Sequence, residues 1–164
     1  MQEAYVMATP DSMLHLLHRI GQVADVMFAK ELGHTGLTAR QFAVLSVLAD
    51  RQTASQTDIV EATGIDRSTL ADIVRRLVAR GFLARKRSRH DARAYDVRLT
   101  VGGRAALEAA RPAVHRIEMR MLRTLPAGKR DEFLRALSAL IHTTDDVDPL
   151  ARKPKVWLRR NRNG

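Results

Sequence analysis

Cationic side chains are the residues of this 164-residue chain whose types and spacing could do chemistry, and they are densest between Arg80 and Arg98. Seven basic residues in that stretch are opposed only by Asp91 and Asp96, so its formal charge is +5. Guanidinium groups bind phosphate oxygens and can pair bidentately with guanine. A hairpin with a purely structural role does not need this charge, so the stretch favours contact with a nucleic acid.

A second polar and cationic surface lies just before it, between Arg67 and Ala79. The i, i+3, i+4, i+7 spacing of apolar residues that face the core of a protein from one helix is shown by Leu70, Ile73, Val74 and Leu77. The opposite face suits a major groove, because short residues allow a close approach and hydroxyls bond phosphates or base edges. A solvated helix surface is the alternative, since such faces are common on helices that touch nothing. The residues predicted to contact DNA from this helix are Arg67, Ser68, Thr69, Asp72, Arg75 and Arg76.

Two short helices joined by a tight turn are predicted to position these side chains. Ser55 and Asp58 have the spacing of a capping box, which opens the first helix. Its apolar face is predicted to carry Ile59, Val60 and Ala62. Gly64 offers the positive φ angle that ends such a helix, and Asp66 can cap the next one. This pattern is typical of a helix-turn-helix.

A pair of strands is predicted after Gly81, in the runs 82–88 and 94–99. The second run alternates cleanly and is predicted to place on one face Tyr95, Val97 and Leu99. A helix-turn-helix followed by a charged hairpin is a winged helix-turn-helix, so we expect double-stranded DNA as a partner.

The hairpin resembles the wing of the MarR family of regulators, with its acidic residue, an arginine two positions later and a closing Leu-Thr. Here these are Asp91, Arg93, Leu99 and Thr100, and the pattern is also matched by Leu77, Gly81, Leu83 and Arg85. The resemblance covers roughly residues 11 to 144. It implies a recognition helix in the major groove and Arg93 in the adjacent minor groove, held by Asp91, and a narrow minor groove does attract a guanidinium. The predicted wing contacts are Arg87, Arg89, Asp91 and Arg93.

Two helices are predicted before the helix-turn-helix. The first follows a cap region at Ser12, with Pro10 near the first helical position. Its broad apolar face is formed by Met13, Leu14, Leu17, Ile20, Ala24, Met27 and Phe28. The second opens at a capping box of Thr38 and Gln41. Its inward residues are predicted to be Phe42, Leu45 and Leu48.

Two further helices are predicted after the hairpin. Thr100 caps a long one, which Pro112 should kink by removing an N–H donor, and Pro126 starts the last one. Their apolar residues are Leu107, Val114, Ile117, Met121, Leu122, Phe133, Leu134, Leu137, Leu140 and Ile141. These faces and that of the first helix exceed what one winged module can cover, so we expect a homodimer, as the resemblance also implies.

The predicted fold class is therefore mainly α with a small β-hairpin wing, a winged helix-turn-helix with a helical dimerisation region. The predicted regions are an N-terminal dimerisation helix (1–36), the DNA-binding region (37–100), C-terminal dimerisation helices (101–146) and a basic tail (147–164). The tail could follow the phosphate backbone or pack across the dimer, and a disordered terminus is the alternative.

The resemblance also implies a small aromatic acid or phenolic effector, bound where the dimerisation helices meet the DNA-binding module. Cationic and imidazole donors suit a carboxylate. The predicted ligand-binding residues are His15, Arg19, Gln22, His115, Arg116 and Met119. The alternative is that such residues face solvent or form interhelical ion pairs.

Composition narrows the function classes. The formal net charge is +10, which favours a polyanionic partner. Cysteine is absent and six histidines are scattered without ligand spacing, so we expect no thiol switch, metal or cofactor. The sequence has no phosphate loop or nucleophile elbow, so an enzyme is not expected. Without a membrane-length apolar run or a signal-peptide pattern, the expected location is the cytoplasm.

These observations predict a dimeric, sequence-specific transcriptional repressor that a small ligand releases from a pseudopalindromic operator. Two alternatives stay open. One is an architectural DNA-binding protein of low specificity, for which the charge and basic tail would suffice. The other is a regulator controlled by a protein partner.

Overall fold

The computed structural model describes residues 12–87 and 95–143. The helices in these ranges are α1 (Met13–Leu32), α2 (Ala39–Asp50), α3 (Gln56–Thr63), α4 (Arg67–Ala79), α5 (Val101–Leu122) and α6 (Arg130–Thr143). The strands are β1 (Ala54–Ser55), β2 (Leu83–Arg87) and β3 (Tyr95–Leu99). A mainly helical fold with a small antiparallel sheet confirms the predicted fold class.

Side-chain caps begin the helices largely where the sequence predicts them. The capping side chains, each accepting a hydrogen bond from the amide three residues later, belong to Ser12, Thr38, Ser55, Asp66 and Thr100. Gly64 ends α3 with a φ of 67°. The predicted helix start at Pro126 is wrong, because extended backbone at Pro126 leads into a 3-10 turn over Ala127–Lys129 before α6 begins.

Two other prolines, Pro112 and Pro10, were also given predicted roles. The helix α5 runs through Pro112 as one element, and the kink stays a prediction. Pro10 lies outside the described residues.

The sheet has the strand order β1-β3-β2, with antiparallel pairing throughout. The predicted hairpin is present, with Leu83 opposite Leu99 and Arg87 opposite Tyr95. The predicted strand ends at Ser88 and Ala94, and the tip between them, lie outside the described residues. The strand β1, which pairs with β3 through only two residues, was not predicted.

One core supports the predicted DNA-binding region. The predicted stripe of α4 is buried in full, and it shares this core with residues from α2, α3, β3 and α5, namely Leu45, Leu48, Ile59, Val97 and Leu107. Two predicted inward residues are exposed. Ala62 lies at the end of the short α3, and Tyr95 is 49% exposed because only β2 pairs with β3 at that level.

Most apolar residues of α1 and α6 remain exposed in the single protomer. Only Phe28 and Leu32 of α1 are buried. The exposed residues are Met13, Leu14, Leu16, Leu17, Ile20, Val23, Val26, Phe133, Leu134, Leu140 and Ile141. The dimer prediction places exposed apolar side chains such as these in an interface between two copies of the chain. No helix in the described ranges is long and apolar enough to cross a membrane.

Candidate nucleic-acid interface

The helix α4, predicted to contact DNA, presents a polar face opposite its buried stripe. The side chains of Arg75 and Arg76 are 68% and 62% exposed, and Arg67 is also exposed. Four fully or nearly buried residues hold the other face in the core. The helix is therefore fixed by packing while its guanidinium groups stay accessible to a polyanion.

Asp72 lies between these cations. Its Oδ2 is 2.7 Å from Nε of Arg76, and its Oδ1 pairs with Nη2 of Arg75. The hydrogen bond from Arg75, with the charge of Arg76, lowers the pKa of the Asp72 carboxyl below its ordinary value. Asp72 is therefore ionised at neutral pH and offsets part of the positive charge of the face.

The first turn of α4 is organised by Asp66. Its Oδ1 accepts from the Ser68 hydroxyl at 2.6 Å and from the Thr69 amide at 2.9 Å. These bonds, the Ser68 hydroxyl first, hold the pKa of Asp66 well below its usual range. Two predicted DNA-contacting residues, Ser68 and Thr69, thus donate hydrogen bonds to the capping carboxylate of Asp66. A phosphate at this position would have to share the amides with Asp66.

An open cleft of about 420 Å³ lies between the start of α2 and the turn joining α3 to α4. Its lining consists of Ala39, Arg40, Ala43, Thr63, Gly64, Ile65, Asp66 and Thr69. Sequence analysis did not identify Arg40 as a functional residue, because the sequence does not show which helix lies beside the turn. This side chain adds a cation beside the first turn of α4.

The base of the wing is anchored to α5. Thr100 donates from its hydroxyl to the carbonyl oxygen of Gly81 at 2.7 Å, and its amide donates to that of Phe82 at 3.1 Å. Arg87 ends β2 with an exposed side chain. Of the predicted wing contacts, Arg89, Asp91 and Arg93 lie outside the described residues.

The predicted ligand residues lie on two helices. His15, Arg19 and Gln22 are exposed on α1, where Gln22 hydrogen-bonds His18 at 3.0 Å. His115, Arg116 and Met119 are exposed on α5. Arg116 pairs with Glu31 of α1 at 3.5 Å, so it forms the interhelical ion pair given above as the alternative. The ligand role of all six residues stays a prediction.

Within 12–87 and 95–143, no group of three or more His, Asp or Glu side chains is arranged to hold a metal ion.

Known proteins resemble the chain in sequence and in fold. The sequence model of the MarR family matches residues 35–94. The transcriptional repressor NicR of Pseudomonas putida is 32% identical over 133 residues, which cover 81% of this chain and 84% of NicR.

Two solved structures extend the comparison. Bordetella bronchiseptica BpsR, whose DNA binding is regulated by 6-hydroxynicotinic acid, has a TM-score of 0.77 and 32% identity over 82% of this chain and 96% of BpsR. The transcriptional repressor CouR, bound to a 23-mer DNA duplex, has a TM-score of 0.73 and 30% identity over 80% of this chain and 93% of CouR. The similarity to NicR over most of both chains, together with the match across the winged region, shows that this chain belongs to the MarR family.

Proposed function

We propose that this chain is a dimeric, sequence-specific transcriptional repressor. The observation that carries the proposal is the exposed cationic face of α4, held by a buried stripe and followed by a basic hairpin. The similarity to CouR, which binds a DNA duplex, supports the same mode of binding. We propose that Arg67, Arg75 and Arg76 meet the major groove and that Arg87, Arg89 and Arg93 meet the backbone and minor groove.

The exposed apolar surface of α1 and α6 supports a homodimer. Exposed apolar side chains in such number on two helices are common at interfaces between protein chains. Two-fold symmetry would place the two recognition helices about one helical turn apart on one side of the duplex. The operator is therefore proposed to be a pseudopalindrome, and promoter occlusion would follow from DNA binding alone.

We further propose a small aromatic carboxylate or phenolic effector. BpsR, a relative of similar fold, responds to 6-hydroxynicotinic acid, which is an aromatic carboxylic acid with a ring hydroxyl. On this chain, a carboxylate that bound Arg116 would compete with Glu31 for the guanidinium. A ligand that replaced Glu31 as the partner of Arg116 would change how α1 and α5 are linked at this point, and a resulting change in the spacing of the two modules would weaken operator binding.

Selection of binding sites from a random duplex pool at physiological salt tests the repressor proposal. A pseudopalindrome with half-sites about one turn apart is the expected result. Binding without any recovered motif would contradict it and favour an architectural role, for which the net charge of +10 would suffice.

Effector release is tested on the selected operator. Titration with 6-hydroxynicotinic acid should lower DNA binding, and 6-hydroxynicotinamide, which lacks the carboxylate, should have a smaller effect. Equal effects would contradict recognition through the carboxylate. If a panel of aromatic acids leaves the complex intact, control by a protein partner is favoured.

A further inference from the structure

Arg80 joins the end of the recognition helix to the connection between α1 and α2. Its Nη1 donates to the carbonyl oxygen of Gly36 at 2.7 Å, and its Nη2 donates to that of Thr35 at 2.8 Å. The guanidinium carbon also lies 4.5 Å from the centre of the Phe82 ring. A planar guanidinium can make two parallel hydrogen bonds and stack at the same time, which a lysine ammonium cannot do.

The connection that Arg80 binds is itself well ordered by hydrogen bonds. The Thr35 hydroxyl donates to the carbonyl of Leu32 at 2.6 Å and accepts from the Leu37 amide at 3.1 Å. Gly36 has a φ of 65°, and a Cβ there would lie 3.6 Å from Nη2 of Arg80. The two carbonyls are therefore presented in a fixed geometry at the point where α1 leads into the DNA-binding module.

The other side of the same junction is attached to α5. Thr100 bonds the carbonyls of Gly81 and Phe82, and Gly103 in the first turn of α5 lies against the Phe82 carbonyl. Residues 80–82 thus connect four elements: the end of α4, the start of β2, the connection after α1 and the first turn of α5. The two helices that flank the DNA-binding module meet α4 and the wing here.

Because α4 is long, a small change of angle at this junction produces a large displacement of the far end of the helix. Thirteen residues span about 19 Å at ~1.5 Å per residue. Because α4 is packed into the shared core, such a change would move α4 together with the elements packed on it. A rotation of this unit by roughly 10° about the Arg80 junction would move the far end of α4 by about 3 Å, close to the ~3.4 Å rise of one base pair. A small angular freedom at residue 80 would therefore widen the range of half-site spacings that the dimer can bind.

We propose that Arg80 is a positioning residue that fixes the DNA-reading unit, α4 with β2 and β3, relative to the dimerisation helices. It thereby sets the half-site spacing that the dimer accepts. A phosphate contact is the competing role for an exposed arginine. That role is disfavoured because two donors bind carbonyls and one face of the guanidinium is covered by Phe82. The inference rests on the proposed dimeric repressor.

The test compares wild type with Arg80→Lys on three duplexes: the selected operator and versions with one base pair inserted or deleted between the half-sites. Wild type should bind the altered duplexes at least tenfold more weakly. Arg80→Lys keeps the charge but loses the double hydrogen bond and the stacking, so its three affinities should lie within about threefold of each other. Arg111→Lys is the matched control, because Arg111 pairs with Glu108 on the surface of α5 and should keep the spacing preference.

Phe82→Leu keeps both hydrogen bonds of Arg80 and removes the ring. The difference in affinity between the operator and the altered duplexes should therefore lie between that of wild type and that of Arg80→Lys. It also provides the test if thermal unfolding shows that Arg80→Lys does not fold. Wild-type spacing preference in the folded variants would overturn the role of Arg80. Equal weakening on all three duplexes with a shallower salt dependence would assign Arg80 to phosphate contact instead. A selected motif with no spacing preference in wild type would overturn the dimeric operator, and the role of Arg80 with it.

Discussion

Asp72 and Arg76 form an ion pair one turn apart on the exposed face of α4, with 2.7 Å between Oδ2 and Nε. The second carboxylate oxygen pairs with Arg75, so one acid holds two arginines of the proposed DNA-contacting surface. Exposed pairs of this kind contribute little to folding stability, because water screens them and the side chains lose freedom. We therefore expect the main consequence of Asp72 to be on DNA binding.

Asp72→Asn should make binding less specific. The substitution removes the negative charge that offsets Arg75 and Arg76, so both guanidinium groups can bind any phosphate more strongly. We expect affinity for random duplex to rise about 3- to 10-fold, the salt slope to steepen by about one unit, and the ratio of operator to random affinity to fall. Fluorescence anisotropy across a salt series measures all three. Asp131→Asn on α6 removes the same charge as a control, and an equal response in both variants would contradict the assignment.

Gly103 should tolerate no side chain, whereas its neighbour Gly102 should. A Cβ at Gly103 would lie 2.1 Å from the Phe82 carbonyl oxygen, while one at Gly102 would be 3.7 Å from that of Gly81. Gly103→Ala is expected to lower the free energy of unfolding by about 1–3 kcal/mol. Gly102→Ala should leave it unchanged or raise it by up to about 1 kcal/mol, because alanine favours helix. Urea unfolding followed by circular dichroism compares them, and equal stabilities would contradict the close contact.

Asp66 should contribute to acid sensitivity. Its folded-state pKa is lowered by the Ser68 and Thr69 hydrogen bonds. The contribution of the ionised carboxylate to folding stability is therefore fully present above the unfolded pKa of about 3.9, and it is lost as the pH falls toward the folded value. Asp66→Asn keeps a capping oxygen but does not titrate. The variant should match wild type near pH 7 and lose less stability below about pH 4. The free energy of unfolding of both proteins is measured with urea at each pH. An equal loss in both as the pH falls would show that Asp66 does not cause the acid sensitivity.

Local features of the fold could be predicted from the sequence. Capping pairs such as Thr38 with Gln41 lie three residues apart, and the stripe from Leu70 to Leu77 repeats within one helix. Such signals need no knowledge of the rest of the chain. The helix-turn-helix and the wing strands followed from them.

Long-range features could not be predicted. Ala54 of β1 pairs with Val97, and its two-residue strand is too short to show alternation. Arg80 binds carbonyls 44 and 45 residues earlier in the chain, and only the folded arrangement brings them together. Arg40 likewise lies beside the turn between α3 and α4 only because folding places α2 there.

Arg93 is the wing residue whose loss should weaken operator binding most clearly. Arg93→Ala is expected to reduce binding by about 1–3 kcal/mol, because the guanidinium proposed to enter the minor groove is lost. Sedimentation should show an intact dimer. Arg111→Ala removes one charge from the surface of α5, and it should change operator affinity much less. Normal operator binding by Arg93→Ala would remove the wing from the mechanism.

Leu17 is expected to lie in the dimer interface, since it belongs to the exposed apolar surface of α1 and is 38% exposed in the protomer. Leu17→Glu places a charge where apolar contacts form, so the dimer dissociation constant should rise at least tenfold in analytical ultracentrifugation. Ala29→Glu introduces the same side chain about 120° around the helix and should leave the dimer intact. Circular dichroism checks that both variants fold. A Leu17→Glu dimer as stable as wild type would refute the placement of α1 in the interface.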